Sequence, residues 1–272
     1  MPPPQFTRNQ GRDEADFPAG SHRAAESDSV DAMPSTALVP DQVDAIVFDV
    51  IGTLVDEDST WAAVAKRLAT EAGLDETVDL YKPWVDLLER QMNAIVEGDS
   101  PWRPHQQLVS DCAHEAITSA GGKPSSTALA LVASLDHQYV AWPEVASATA
   151  TLRRTRLVAG VSNGDLDALA RLANTNAISW DIALSTATVH TFKPAPAAYR
   201  YAIDALRIDP ARTLFVAAHP WDLRAASGHG FRTAYVARPL AERPAEEDQF
   251  DIAVDDLSAL AGFLGERTAE PR

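Results

Sequence analysis

Ala45-Ile-Val-Phe-Asp-Val-Ile-Gly-Thr53 is an apolar run that carries one acid, Asp49, near its end and closes in a Gly-Thr turn. A continuous apolar strand of this length suits the centre of a parallel sheet, where helices cover both faces. A carboxylate at its C-terminal end stands where open α/β sheets collect their ligands. Upstream, residues 1–42 are rich in Pro, Ser, Asp, Glu and Ala with no apolar period, which predicts a disordered tail. Met33 is a candidate natural start within it.

Downstream, residues 58–140 change texture. Trp61, Val64 and Leu68 repeat at helical spacing, as do Trp84, Leu87, Leu88, Met92 and Ile95, with Pro83 in the first turn of the second helix. No strand is expected there. From about residue 146 strands and helices alternate again: Leu157–Val161, Ile182–Ser185, Thr213–Ala218 and Thr233–Val236 are separated by helical stretches. This alternation predicts parallel βαβ units. The expected layout is a Rossmann-like α/β core of residues 43–57 and 141–265, an all-helical insert of residues 58–140, and a C-terminal tail of residues 266–272.

Bulk composition narrows the partners. The chain has 272 residues, 46% of them hydrophobic, and a formal net charge of -16. That balance argues against nucleic acid and anionic membranes, which select basic patches. No apolar run approaches the roughly 20 residues of a membrane span, and no signal peptide is visible, so a cytoplasmic protein is expected. The single cysteine, Cys112, excludes an internal disulfide and any multi-cysteine metal site. It reads as a small packed or surface thiol. His105, His114 and His137 lack a metal-ligand spacing and read as surface or packing residues. Trp61, Trp84, Trp102 and Met92 read as insert core or pocket wall.

Four segments fall at expected strand ends, where the loops of a parallel sheet converge: Asp49-Val-Ile-Gly-Thr53, Ser162-Asn163-Gly164, Lys193-Pro194 and His219-Pro-Trp-Asp222. Each alone is an ordinary loop sequence; their order and placement together are specific. Phe-Asp-Val-Ile-Gly-Thr-Leu resembles the first signature of the haloacid dehalogenase superfamily. Val-Ser-Asn-Gly, Phe-Lys-Pro with Tyr199, and Val-Ala-Ala-His-Pro-Trp-Asp resemble its second, third and fourth. The wording is closest to type II 2-haloacid dehalogenases, whose helical cap is inserted where residues 58–140 lie. The resemblance covers residues 43 to about 265.

This resemblance implies that Asp49 is a nucleophile that forms an ester with the substrate, which water then hydrolyses. Phosphatases of the superfamily carry a second aspartate two residues after the nucleophile, as proton donor and magnesium ligand. Here that residue is Ile51, whose aliphatic side chain can neither move a proton nor supply an oxygen. Neither a metal nor another cofactor is therefore expected. By the same resemblance Lys193 sits beside Asp49, Thr53 hydrogen-bonds it, Ser162 and Asn163 bind the substrate carboxylate or an oxyanion, and Tyr199 supports the network. Asp222 either holds the hydrolytic water or orients Lys193; its competing reading is a helix cap. His219 either polarises that water or bonds a backbone carbonyl, and Trp221 is a pocket residue. Ile51 stands where a tyrosine is usual, which predicts an apolar, roomier floor. Val85 falls at the place of the cap arginine that holds halogen and carboxylate, with Lys82, Arg90 and Arg103 as substitutes.

The expected function is metal-independent release of halide from a small 2-haloalkanoate, in a site between insert and core. The partner is a small carboxylate; a homodimer follows from the resemblance alone. Three rivals are kept. They are opening of a strained C–N or C–O bond by the same carboxylate, a phosphatase (disfavoured by Ile51), and a non-catalytic binding member.

Overall fold

The structure, a computed structural model, describes residues 38–265. The strand read first is there: β1 spans Ala45–Phe48 and all four residues are buried. Its neighbours are β2 (Leu157–Ser162) on one side and β4 (Thr213–Ala217) on the other, both parallel. With β3 (Ile182–Ser185), β5 (Arg232–Val236) and β6 (Ile252–Val254) they make a six-stranded parallel sheet of order β3-β2-β1-β4-β5-β6. The chain therefore grows outward from β1 to β3, returns, and grows the other way from β4. Such a reversal leaves a crevice at the strand ends beside β1. Asp49, the residue after β1, lies in it.

The two faces of β1 alternate as a strand requires. Ile46 and Phe48 join the larger apolar cluster, which also takes in Trp61, Trp84, Leu108 and Val132. Val47 points to the second cluster, with Phe215, Tyr199 and Leu223. Burying one such aliphatic or aromatic side chain contributes about 1.5–3 kcal/mol.

Between β1 and β2 run five helices: α1 (Glu57–Glu71), α2 (Tyr81–Glu97), α3 (His105–Ser119), α4 (Ser126–Ala133) and α5 (Val145–Leu152). Asp56 caps α1 by accepting from Ser59 N, and Gly98 ends α2 with a left-handed φ of 84°. Trp61 and Trp84 meet with ring centroids 4.4 Å apart, each indole N–H bonded, to Tyr139 and to the Val109 carbonyl. The chain enters and leaves α1–α4 through paired backbone. Asp56 N donates to Val140 O, and Trp142 N donates to Leu54 O. After β2 come α6 (Leu166–Asn176), α7 (Pro196–Leu206), α8 (Pro220–Ser227) and α9 (Leu257–Leu264), one after each of β2 to β4 and one after β6.

Three differences from the sequence reading have physical causes. The fold already includes Leu38 and a short 3₁₀ turn at Pro40–Gln42, placed in the expected tail. Arg156 reaches across to the Pro40 carbonyl and holds that segment. The edge strand β6 was not foreseen: three residues flanked by acids give too short a period to read. Finally, α3 and α4 are rich in small residues, so their bounds are legible only in the packing. The expectations for residues 1–37, Met33 included, and for residues 266–272 lie outside the described residues. Cys112 is buried on α3, and burial pushes its thiol up to about 11, so it stays protonated and unreactive at neutral pH. Among the described residues no helix is long and apolar enough to cross a membrane.

Candidate active site

All four strand-end segments converge on one cavity of about 600 Å³. Asp49 is almost fully buried at its floor. Its Oδ2 accepts from Thr53 Oγ1 at 2.6 Å and its Oδ1 from Lys193 Nζ at 2.7 Å. Thr53 is itself fixed, because its hydroxyl accepts from Ala218 N at 2.8 Å. This ties the β1 turn to the end of β4. Lys193 Nζ also donates to Asp222 Oδ2 at 2.5 Å, and Tyr199 donates its hydroxyl to Asp222 Oδ1 at 2.5 Å. The result is a buried chain, Asp49–Lys193–Asp222–Tyr199, in which one ammonium serves two carboxylates.

Charge competition decides which carboxylate is ionised. Burial pushes Asp49 upward, but the Lys193 ammonium, with His219 and the Thr53 hydroxyl, outweighs it and holds Asp49 below the usual carboxylate range. For Asp222 burial, aided by the Asp49 charge, wins over Lys193, and its carboxyl is raised. Burial alone would lower Lys193; Asp222 and Asp49 together keep it charged and raised. Asp49 is thus a desolvated carboxylate at neutral pH, the state a nucleophile needs.

The expected residues do not all reach the cavity. Asp49, Ile51, Val85, Ser162, Asn163, Lys193, His219 and Trp221 line it; Thr53, Tyr199 and Asp222 stand behind the wall and act on what lines it. Asp222 lies in the first turn of α8 but does not cap it; the cap position is held by His219. Asn163 uses its side-chain oxygen on Lys193 N (2.7 Å) and Thr186 Oγ1 (3.2 Å), fastening the Lys193 loop to the β2 end. Ser162 Oγ accepts from Gly164 N at 3.1 Å, which leaves its hydroxyl hydrogen for a ligand. His219 places Nε2 3.3 Å from the Ile51 carbonyl and 3.6 Å from Asp49 Oδ2, with Trp221 stacked on it at 5.7 Å.

The opposite wall comes from α1 and α2: Trp61, Tyr81, Val85, Leu88, Met92 and Asn93, with the acids Glu57, Asp58 and Glu89. None of the arginine substitutes reaches it. Lys82 is largely exposed and paired with Asp86, Arg90 is exposed, and Arg103 is held by Gln91 and Asp111. His105, read as surface or packing, is buried and lines the cavity against Phe192, and burial lowers its pKa. His114 and His137 are exposed.

Among the lining residues that the sequence reading missed, Glu57 and Arg238 matter most. Glu57 opens α1, where an acid is ordinary helix-start chemistry, so nothing set it apart. Arg238 follows β5 and is nearly buried. Its Nε donates to Thr53 O at 2.9 Å and its Nη1 to Glu144 at 2.7 Å, while Nη2 makes no hydrogen bond among the described residues. Its strand-end position, shared with the other four segments, was the available signal.

The donor set does not fit magnesium. A hard cation needs about six oxygens, yet the place between Asp49 and Asp222 holds the Lys193 ammonium and the neighbouring position offers the Ile51 side chain. Among the described residues no group of three or more His, Cys, Asp or Glu is arranged to hold a metal ion.

A parallel sheet that reverses at β1, a buried carboxylate at that reversal and a lysine from the third loop define a class. The chain belongs to the haloacid dehalogenase-like hydrolases, whose family model matches residues 43–230. It is 26% identical over 202 residues to (S)-2-haloacid dehalogenase 1 of Pseudomonas sp. strain CBS-3, covering 73% of this chain and 86% of that one. The (S)-2-haloacid dehalogenase of Xanthobacter autotrophicus is 28% identical over 207 residues, 75% and 79% of the two chains. A crystal structure of an L-2-haloacid dehalogenase superposes with a TM-score of 0.73 at 28% identity, covering 82% of this chain and 98% of that one.

Proposed function

We propose that this hydrolase breaks the carbon–halogen bond of a small 2-haloalkanoate. The Asp49 carboxylate attacks the halogen-bearing carbon, halide leaves with its bonding pair, and an ester forms on Asp49. Water then adds to the ester carbonyl, the C–O bond to the Asp49 carbonyl breaks, and a 2-hydroxy acid, a proton and free Asp49 are released. The observation that carries this reading is the state of Asp49: ionised, desolvated, and oriented by Thr53 and Lys193 at the floor of the cavity. A halide needs no proton to leave, so the absence of an acid at Ile51 does not hinder the first step. The dehalogenase relatives support the same chemistry.

In this reading Lys193 holds Asp49 charged, Asp222 and Tyr199 position Lys193, and Asn163 positions its loop. Ser162 donates to the substrate carboxylate, while Ile51, Val85 and Trp221 shape the pocket. We further propose the division into a core of residues 43–57 and 141–265 and a cap of residues 58–140. The paired crossing at Leu54–Asp56 and Val140–Trp142 supports it. The lone buried thiol supports a cytoplasmic setting, and a homodimer rests on resemblance alone.

The α1–α2 wall favours a second reading. It presents Val85 and three acids but no arginine or lysine to receive an anionic leaving group. Opening of a strained C–N or C–O bond in a small carboxylate would use the same Asp49. The deciding experiment is halide release by EDTA-treated protein from chloroacetate, fluoroacetate and each enantiomer of 2-chloropropionate. Release that survives EDTA and disappears in Asp49→Asn supports dehalogenation. Silence on all four substrates points to ring opening or to a non-catalytic binding member.

A further inference from the structure

The second half of the proposed reaction needs a group that takes a proton from water on the cavity side of Asp49. Asp222 does not offer one. It is fully buried behind Lys193, with one oxygen held by Lys193 Nζ and the other by the Tyr199 hydroxyl. Lys193 is an ammonium and has no lone pair to give. His219 faces Asp49, but its Nε2 lies against the Ile51 carbonyl, a group that only accepts, so that nitrogen carries a hydrogen. His219 can hold a water but does not turn a basic nitrogen toward it there.

Glu57 fills the gap. It reaches from the first turn of α1 over the α-carbon of Gly52, the residue between Ile51 and Thr53. The point where a Cβ of Gly52 would stand is 3.1 Å from Glu57 Oε2 and 2.5 Å from His219 Nε2. The two side chains therefore border one space, which exists because residue 52 has no side chain, and its φ of +84° also favours glycine. Among the described residues no hydrogen bond or ion pair engages the Glu57 carboxylate, although it lines the cavity with Asp49.

We propose that Glu57 is the general base of ester hydrolysis: it takes the proton of the attacking water while His219 orients that water from the other side. The assignment rests on the ester route proposed above. Water oxygen bonds to the Asp49 carbonyl carbon, its proton passes to Glu57, the bond to the substrate oxygen breaks, and the departing alkoxide recovers the proton from Glu57. Nothing is oxidised or reduced.

Charge supports the timing. Burial pushes Glu57 up to about 7; His219 opposes this, and the charges of Asp49, of Asp58 on the same helix and of Glu89 on α2 add to it. In the resting site part of Glu57 is protonated, which spares Asp49 a second negative neighbour. Once Asp49 is an ester its charge is gone, that repulsion ends, and Glu57 ionises when a base is needed. Ester hydrolysis is therefore expected to slow in acid, at a pH below the resting value of about 7, because the base form is lost, while halide release continues to lower pH.

The test is Glu57→Gln with the enantiomer of 2-chloropropionate that the wild type turns over. The expected result is a burst of about one halide per active site at near wild-type rate. Steady turnover then falls by roughly 10²- to 10⁴-fold, the alkyl ester persists on the Asp49 peptide in a mass spectrum, and the acid limb of ester hydrolysis disappears. Glu57→Asp guards against an effect of the amide on α1, and is expected to keep slower turnover with the pH limb intact. Wild-type turnover alongside an unchanged E57Q steady state with no ester would overturn the Glu57 assignment alone. So would loss of the burst in an E57Q protein that melts like the wild type, or an E57D variant without the limb. A wild type that releases no halide would remove both the dehalogenase reading and this inference.

Discussion

On the sheet side of the cavity, polar groups are held by other polar groups. Asp49 is gripped by Thr53 and Lys193, Lys193 by Asp222, Asp222 by Tyr199, and the Lys193 loop by Asn163. On the α1–α2 side the wall is Val85, Leu88 and Met92 with three acids, of which Asp58 accepts from the Tyr81 hydroxyl. The first side fixes one carboxylate in one state and one direction, which is preorganised chemistry. The second grips nothing in particular, which leaves the choice of substrate and leaving group to shape and to charge. Reaction type is written into the strand ends, and substrate preference into the helices that cover them.

The largest effect expected from disturbing this contrast is at Lys193. Lys193→Met would leave two buried carboxylates facing each other without a cation, at a cost of about 3–5 kcal/mol for the broken pair. Activity is expected to fall by about 10³-fold or more, since Asp49 loses both charge support and orientation. The sign of the pH effect follows. Without Lys193 the folded-state pKa of Asp222 and Asp49 lies above the unfolded value. The variant is then relatively stable in acid and loses stability as pH rises through those raised values. Urea unfolding in acid and at neutral pH checks this, and a K193M protein with unchanged stability at neutral pH would break the picture of a charge-bound sheet side.

A smaller effect is expected on the helical side. Val85→Arg would place a guanidinium in a wall that has no cation. A charge-assisted hydrogen bond to a carboxylate or halide contributes about 1.5–3 kcal/mol, so KM for 2-haloalkanoates is expected to fall by roughly 10-fold or more with little change in kcat. Lys82→Ala, on the same helix but exposed and paired with Asp86, is expected to leave KM as it is. If K82A raised KM and V85R did not lower it, the substrate would be met from a different direction than this wall implies.

The strand-end residues were legible because a parallel sheet delivers them to one place, whatever the loops between them do. Order and spacing along the chain were enough to group Asp49, Ser162, Lys193 and Asp222. The helical wall was legible as helices and as the placement of Val85, which does line the cavity. Partnerships across the fold were not. Arg238 finds Glu144 ninety-four positions away, and no local pattern signals that distance. Asp222 could be read as a cap or as a partner of Lys193, and only the 2.5 Å contact to Nζ distinguishes them. Glu57 looked like any acid at a helix start. What marks it is the bare α-carbon of Gly52 beneath it, a feature of the folded chain.

In the proposed reaction the Asp49 carboxylate, and not water, attacks the substrate carbon. The most direct test of this attack is a single turnover in H₂¹⁸O with enzyme in excess over 2-haloalkanoate. Attack by Asp49 puts an unlabelled aspartate oxygen into the hydroxy acid and leaves the heavy oxygen in the Asp49 carboxylate, where peptide mass spectrometry finds it. Heavy oxygen in the first-turnover product, with none in the Asp49 peptide, would contradict the account.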